Sequence, residues 1–194
     1  NPAGITQLNG TQLSANLYHL SLASDYSGAG GTASMNDDFV TVPSFYVTWK
    51  PNDAPWAYGF AIYAPFGLET EWSDASPLRT FALKNELRYI TYNFTGAWQV
   101  SPALSLGLSV TYNRAEADLN RRLGVFGPTD LFRFEGDGDA FGVNFSVLWK
   151  ASERHQFGLS YSHRTSVNFK GTAYTVPLVP DEPEYVATLK TLHR

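Results

Sequence analysis

The sequence predicts an all-β protein, and more narrowly an antiparallel transmembrane β-barrel of about seven to eight strands. Three observations lead there: strict alternation of apolar and small polar residues, connections that alternate between tight turns and long loops, and tryptophans grouped beside the tight turns. The composition agrees, because 15% of the 194 residues are aromatic and 16 glycines and 11 prolines supply strand breaks.

Alternation is clearest in the run LSLGLSVTYN over residues 104–113, where apolar and small polar residues occupy opposite faces. The run that begins at Ala140 repeats this pattern up to Trp149. The first strand, over residues 11–23, loses its phase near Tyr18, which predicts a β-bulge there. Looser alternation predicts the other strands around residues 45–49, 56–62, 90–98 and 157–161, and an eighth that starts near Val186.

The connections decide between a soluble sheet and a membrane barrel. Tight turns are predicted at PNDA (51–54), SPA (101–103) and ASER (151–154). Long loops are predicted on the opposite edge, over residues 24–42, 65–85, 115–139 and 171–185. Short periplasmic turns opposite long extracellular loops are typical of outer-membrane barrels.

Four tryptophans lie within about three residues of a tight turn, on the apolar face of their strands. Amphipathic rings at one level indicate an aromatic girdle where indole N–H groups meet lipid headgroups. A soluble sandwich with tryptophans at its strand ends is the alternative. The inward positions are small, which favours a lumen wider than that of a filled eight-stranded barrel. The four are Trp49, Trp56, Trp98 and Trp149.

Other features exclude whole classes of function. A net charge of −4 with dispersed basic residues predicts no nucleic-acid partner. The sequence has no cysteine, and its four histidines lack metal-ligand spacing, so it predicts no metal and no cofactor. EGDGD (135–139) resembles an acidic calcium loop, but it fits a turn before the sixth strand better. The chain begins at Asn1 and stops within an alternating run, which indicates a fragment.

Three strings carry a family resemblance: NPAGI at the start, FGLETEW from Phe66, and FGLSYSHRTSVNFKG from Phe157. Together they resemble the FadL/TodX family of outer-membrane transporters for long-chain fatty acids and aromatic hydrocarbons. The resemblance implies a fourteen-stranded barrel that is closed by an N-terminal hatch. Residues 1–10 would be the end of this hatch, and residues 11–194 would form a truncated part of the barrel. It also implies a hydrophobic small-molecule ligand, contact with outer-membrane lipid and lipopolysaccharide, a monomeric barrel at full length, and a Gram-negative outer membrane as location.

The resemblance assigns roles to two groups of residues. Asn1, Pro2 and Ala3 would belong to the hatch that opens the lumen pocket; the plainer interpretation is a capped turn. Pro65, Phe66 and Gly67 would mark an inward strand kink beside which the ligand leaves sideways. Proline cannot donate to a strand ladder and glycine permits a bend, so the local chemistry agrees. An ordinary strand end is the alternative.

The loop predicted after the fifth strand is rich in apolar residues although it should face water. By resemblance it is the groove that first captures the ligand; a loop packed on its own small core is the alternative. The residues concerned are Leu123, Val125, Phe126, Leu131, Phe132 and Phe134.

Arg121 and Arg122 lie near a family position where an arginine meets a fatty-acid carboxylate, an anion that suits a guanidinium. A strict match by position puts Leu119 there instead, which leaves a neutral hydrocarbon open as the cargo. A solvated pair of loop charges is the plain alternative.

Two rival functions stay open. An outer-membrane lipid hydrolase is suggested by Ser160, Ser162 and His163, but neighbouring strand residues point to opposite faces, so Ser162 and His163 are poorly placed to meet. A general porin or a small structural barrel is the other rival. The sequence therefore predicts a protein that is not an enzyme.

Overall fold

The computed structural model describes residues 1–36, 38–124, 130–176 and 185–190. Within these residues a short 3₁₀ helix, Pro2–Gln7, precedes the strands. Among the described residues, no helix is long and apolar enough to cross a membrane. The strands are β1 (Gly10–Leu22), β2 (Asp25–Gly28), β3 (Gly31–Ser34), β4 (Asp38–Lys50), β5 (Trp56–Tyr63), β6 (Gly67–Glu71), β7 (Lys84–Ser101), β8 (Leu104–Arg122), β9 (Leu131–Lys150), β10 (Gln156–Ser162), β11 (Lys170–Val176) and β12 (Tyr185–Lys190).

One curled antiparallel sheet contains ten of these strands, and eight of them follow one another in the order β1-β4-β5-β7-β8-β9-β11-β12. Strand β6 continues the line of β5 along β7, and β10 lies beside β9 below β11. The sheet is therefore a wall with eight strand positions, which we call staves. Two staves are interrupted: the third consists of β5 and β6, and the seventh of β10 and β11. The predicted antiparallel β-barrel architecture and its strand count are confirmed, and β2 and β3 form a separate hairpin in the first long connection.

The two faces of the wall differ as the alternation predicted. On β8, Leu106, Leu108 and Val110 are exposed on the outer face, whereas Ser105 and Ser109 are buried on the face that carries the helix. Apolar side chains on the convex face suit lipid contact, and small polar ones line the lumen.

Two aromatic rows bound the apolar band. Beside the tight turns, Trp49 and Trp56 lie 5.4 Å apart between ring centroids, and Trp56 is directly opposite Trp98. Further along the same face, Tyr112 lies between Tyr92 and Phe141, at centroid distances of 5.9 and 5.4 Å. The predicted tight turns and the shared outer face of the tryptophans are confirmed.

The predicted bulge near Tyr18 is wrong. Strands β1 and β4 pair without a register shift from Gly10↔Lys50 to Leu22↔Asp38. We call the end of the wall that lies away from the tight turns its upper end. The alternation changes because inward residues become apolar in the upper half of β1, at Tyr18, Leu20 and Leu22, while the backbone stays regular. An apolar lumen wall therefore mimicked a phase slip in the sequence.

The predicted long loops are too long. Strands β8 and β9 continue to Arg122 and from Leu131, so most of the stretch expected as loop over 115–139 is paired sheet. The turn expected at EGDGD is also strand, with Asp137 and Asp139 on its outer face and Gly136 and Gly138 on its inner face. Charged residues alternate with small ones there, so hydrophobic periodicity gave no signal.

Candidate functional site

The N-terminal helix lies against the inner face of the wall. Ala3 is fully buried, and its backbone N–H donates to the Ser146 hydroxyl at 2.8 Å. The Asn1 side-chain amide donates to the carbonyl oxygens of Val147 (3.0 Å) and Leu159 (3.3 Å), which belong to the neighbouring strands β9 and β10. The first three residues thus tie the helix to two adjacent staves.

The close approach of the helix depends on small residues in the wall. A Cβ atom at Gly107 would lie 2.4 Å from the Ala3 nitrogen, so a larger residue cannot occupy this position without moving the helix. The buried Thr6 hydroxyl lies 2.9 Å from the Ser105 hydroxyl. The Lys50 ammonium donates to the Thr6 carbonyl at 2.5 Å, which caps the last turn of the helix.

The third stave is interrupted at residues 64–66. Strand β5 pairs with β7 up to Tyr63↔Thr91, and β6 resumes at Gly67↔Arg88. Three residues therefore stand where the register of β7 leaves room for two. As a result the outward face passes from even-numbered residues in β5 to odd-numbered residues in β6. The Phe66 ring packs on Tyr89 at a centroid distance of 4.3 Å.

This interruption separates the third stave from the second. Among the described residues, β4 pairs with β5 only from Phe45↔Ile62 to Trp49↔Tyr58. The upper part of β4 keeps its pairing with β1 but has no strand ladder on the β6 side within the described sheet. The wall is thus open at this level, where Pro65, Phe66 and Gly67 lie.

A cavity of about 560 Å³ occupies the opening. Its walls are mainly apolar, and its lining residues come from both faces of the sheet, so the cavity connects the inside of the wall with the outside. Residues from the inner face include Leu20, Val42, Leu68 and Tyr89, and those from the outer face include Ile62 and Ile90.

The residues expected to capture ligand are divided between strand and loop. Leu131, Phe132 and Phe134 lie in β9, whereas Leu123 directly follows β8. Val125 and Phe126 lie outside the described residues. All six were predicted to lie in one loop, because the outward side of β8 and β9 above the apolar band is almost entirely polar and does not indicate a strand.

The two arginines at the end of β8 have different surroundings. Arg121 is opposite Phe132, with its guanidinium carbon 5.2 Å from the ring centroid, a cation–π geometry. Leu119 is opposite Phe134 on the same inner face. The upper lumen wall is therefore lined by aromatic and aliphatic side chains beside one guanidinium.

Arg122 instead reaches the loop between β6 and β7. Its Nε and Nη2 each donate to the Asp74 carboxylate at 2.8 Å, a two-point ion pair. These hydrogen bonds lower the pKa of Asp74 below its ordinary value, with the positive charge of Arg122 adding to the effect and partial desolvation opposing it. Arg122, predicted as a contact for the carboxylate of a ligand, thus already binds a carboxylate of its own chain.

A second interruption, in the seventh stave, was not predicted. Strand β10 ends at Ser162, the His163 N–H donates to the Val143 carbonyl at 2.9 Å, and pairing with β9 resumes at Lys170. The intervening segment 163–169 lies against the inner face of β9, because a Cβ at Gly138 would be 2.6 Å from the Asn168 oxygen. Glycines at inward positions of β9 were the available signal.

Comparison with known families gives a match over residues 1–178 to the model described as outer membrane protein transport protein (OMPP1/FadL/TodX). The chain is 24% identical over 200 residues to the long-chain fatty acid transport protein of Escherichia coli O6:H1, covering 88% of this chain and 45% of that protein. It is 27% identical over 158 residues to outer membrane protein P1 of Haemophilus influenzae, covering 66% and 34%. The chain thus spans less than half the length of these relatives.

Two crystal structures have the same fold. A FadL homologue of Pseudomonas aeruginosa superposes with a TM-score of 0.70 at 20% identity, covering 90% of this chain and 48% of that one. The toluene transporter TbuX of Ralstonia pickettii superposes with a TM-score of 0.74 at 17% identity, covering 98% and 56%. At these identities the similarity concerns the architecture.

Proposed function

Because the chain belongs to the outer membrane transport protein family (OMPP1/FadL/TodX), we propose that it carries hydrophobic small molecules, fatty acids or aromatic hydrocarbons, across the outer membrane. Its location is the outer membrane of a Gram-negative bacterium. The relatives named after fatty acids and toluene are transporters, which supports transport over catalysis.

The observation that carries the proposal is the apolar cavity at the interrupted third stave. In our proposal, cargo enters from the lumen and leaves sideways into the lipid between β4 and β6. Such an exit suits apolar molecules, because their transfer into water costs free energy in proportion to exposed apolar area. Pro65, Phe66 and Gly67 would keep this exit open.

Residues 1–10 would form the end of a hatch, and residues 11–194 would form a part of the barrel wall. Five hydrogen bonds tie the helix to the inner wall through Asn1, Ala3, Thr6 and Lys50. Their number is small, so a modest rearrangement of the helix would uncover the polar lumen surface around Ser105. We propose that this movement accompanies transport.

Capture would occur at the upper end of β8 and β9. Leu123, Val125, Phe126, Leu131, Phe132 and Phe134 are the proposed capture residues, with Arg121 or Arg122 as the contact for a carboxylate. Lipid and lipopolysaccharide would surround a monomeric barrel, since the outer face carries the apolar band and, above it, a charged region.

Uptake by lipid vesicles tests the proposal. Vesicles that contain the natural protein in which this sequence occurs should take up toluene or oleate faster than protein-free vesicles, and should exclude small sugars. A general porin would give the opposite pattern. Rapid sugar uptake with no gain for either apolar cargo would contradict the proposed function.

A further inference from the structure

The outer face of the wall carries a charged cavity directly above the upper aromatic row. This row consists of Tyr92, Tyr112 and Phe141, and the next outward residue on β8 is Arg114. Successive outward residues of a strand lie roughly 7 Å apart, so charged side chains begin where the aromatic row ends. The cavity has a volume of about 480 Å³, and its walls consist mainly of charged side chains.

Three cationic side chains from three strands line this cavity. Arg88 belongs to β7, Arg114 to β8 and Lys170 to β11. The side chains of Arg88 and Arg114 remain 66% and 44% exposed, although each pairs with a glutamate. Lys170 is exposed and forms no ion pair among the described residues. An anion on the lipid side of the wall can therefore reach all three cationic groups.

A row of carboxylates lies one level above Arg88. Glu86, Asp118 and Glu135 stand opposite one another in the register of β7, β8 and β9. Like charges directly opposite each other on neighbouring strands are destabilising. The Arg133 guanidinium offsets part of the repulsion, at 2.8 Å from Asp118 and 2.5 Å from Glu135. Five carboxylates and three cationic groups line the cavity, so its net charge is negative.

This arrangement of charge fits the head group of lipopolysaccharide, the glycolipid of the outer leaflet. Its sugar phosphates lie at the base of the head group, directly above the acyl chains, and guanidinium and ammonium groups bind phosphate well. Divalent cations bridge such phosphates, and their preferred ligands are carboxylate and phosphate oxygens. Cationic groups next to the aromatic row and carboxylates above it therefore offer partners to both the phosphates and their counter-ions.

We propose that the cavity binds lipopolysaccharide through its phosphates and the divalent cations that accompany them. Arg88, Arg114 and Lys170 contact the phosphates, and the carboxylates share the cations with the phosphates. The cavity continues the apolar band of the outer face, along which the acyl chains of the same molecule lie. The inference rests on the lipid contact that forms part of the proposed function, and it is independent of the cargo.

Three lipid probes test the chemistry of the site. The natural protein in detergent is titrated, in the presence of Mg²⁺, with deep-rough lipopolysaccharide, with the same glycolipid after removal of its phosphates, and with phosphatidylglycerol. Native mass spectrometry measures the bound fraction. We expect the phosphorylated glycolipid to bind at least about tenfold more tightly than either other probe, because only it places several phosphates on a sugar head group. Chelation of Mg²⁺ should weaken its binding by about the same factor.

Substitution tests the residues. Arg114→Gln and Lys170→Gln should each weaken the binding of lipopolysaccharide about fivefold, and the double variant further, because each loses one charge-assisted contact. Lys84→Gln is the matched control, since Lys84 is an outward residue of β7 that pairs with Glu71 and does not line the cavity. It should bind like the unaltered protein. Heat-modifiable gel mobility shows that each variant has assembled, and the single variants serve if the double variant fails to assemble.

Several results would overturn the inference. Equal affinity for the phosphorylated and dephosphorylated probes would do so, as would unchanged affinity in the assembled variants. Equal weakening by Lys84→Gln would assign the effect to overall surface charge, and equally tight binding of phosphatidylglycerol would assign it to any anionic lipid. Binding that survives chelation would also contradict the site, because the excess of carboxylates would then repel the phosphates.

The proposed transport is measured separately from this binding. Uptake of toluene or oleate in vesicles that lack lipopolysaccharide tests transport without the lipid. Loss of lipid binding with uptake intact would therefore count against the lipid site alone, and absent uptake with intact lipid binding would count against transport alone.

Discussion

Small residues on the inner wall allow the helix to dock. Ser105, Gly107 and Ser146 come from two neighbouring strands and together form the surface against which Ala3 and Thr6 lie. Glycine and serine take little space, and the hydroxyls provide hydrogen-bond partners for buried backbone groups. Docking therefore depends on the size of individual wall residues more than on apolar area.

The substitution Gly107→Val tests this dependence. The new Cβ would meet the Ala3 nitrogen at 2.4 Å and the Pro2 carbonyl carbon at 2.7 Å, so the helix must move away. Overpacking of this kind costs roughly 1–3 kcal/mol, so amide exchange in residues 3–7 should accelerate about ten- to hundredfold. Valine itself favours a strand, so the wall should stay intact.

The variant Gly4→Ala is the matched control, because a Cβ at Gly4 meets no atom within 4 Å. Hydrogen exchange measured by mass spectrometry should distinguish the two variants. Unchanged exchange in the helix of Gly107→Val would contradict the docked arrangement.

The ion pair between Arg122 and Asp74 predicts a pH dependence of the loop over 72–83. Because its pKa is lowered in the folded protein, the Asp74 carboxylate stabilises the loop contact above the ordinary carboxyl pKa of about 4. This contribution is lost as the pH falls through the lowered pKa. Asp74 is largely exposed, so the effect on overall stability is small.

An NMR titration of the Asp74 carboxyl group checks this expectation. Its midpoint should lie below that of an ordinary aspartate and move upward in Arg122→Gln. A midpoint that stays the same in the variant would show that Arg122 does not hold the carboxylate.

At the scale of elements, the two interrupted staves differ in construction. The third stave is offset by one residue across its break and opens a cavity, whereas the segment 163–169 of the seventh stave folds against the inner face of β9. The inward glycines Gly138 and Gly142 provide the room for that segment, since a Cβ at either would lie within 3.0 Å of it.

The substitution Gly138→Ala should therefore displace the segment. Its Cβ would lie 2.6 Å from the Asn168 carbonyl oxygen, a backbone atom that cannot rotate away. We expect faster amide exchange over residues 164–169 and unchanged exchange in β8. Gly96→Ala is the control, because its Cβ would meet only the Tyr58 ring at 4.0 Å. Equal exchange in both variants would contradict the packed segment.

The elements also show how far the sequence could predict the structure. The central part of β8, from Leu104 to Asn113, was predicted because lipid outside and small polar residues inside impose a period of two. Its upper part was missed, since Arg114, Glu116 and Asp118 project outward above the apolar band, whereas the inward residues Ala115, Ala117 and Leu119 are apolar. The polarity of the two faces is therefore exchanged in this region, and the outward face carries no apolar signal, although the backbone pairing continues.

The site was predictable to a different degree. Pro65 and Gly67 predicted an irregularity in the strand, because proline cannot donate to the ladder and glycine permits a bend. The opposition of Glu86 and Asp118 was not predictable, because it depends on the register between β7 and β8 above the apolar band. The docking of Ala3 on Gly107 likewise joins residues far apart in sequence, and no local pattern encodes it.

In the molecule as a whole, the opening between β4 and β6 is the proposed route for cargo through the wall. From β7 to β9 the wall is closed by continuous ladders. The opening exists because three residues link β5 and β6 where two would continue the register. Removal of one residue should therefore let the two strands merge and close the wall.

Deletion of Pro65 in the natural protein is the most direct measurement. We expect the variant to assemble, as shown by heat-modifiable mobility, while its toluene uptake falls to the level of protein-free vesicles. Pro65→Ala keeps all three linking residues and should retain uptake well above that of the deletion. An assembled deletion variant that transports toluene as fast as the unaltered protein would contradict an exit between β4 and β6.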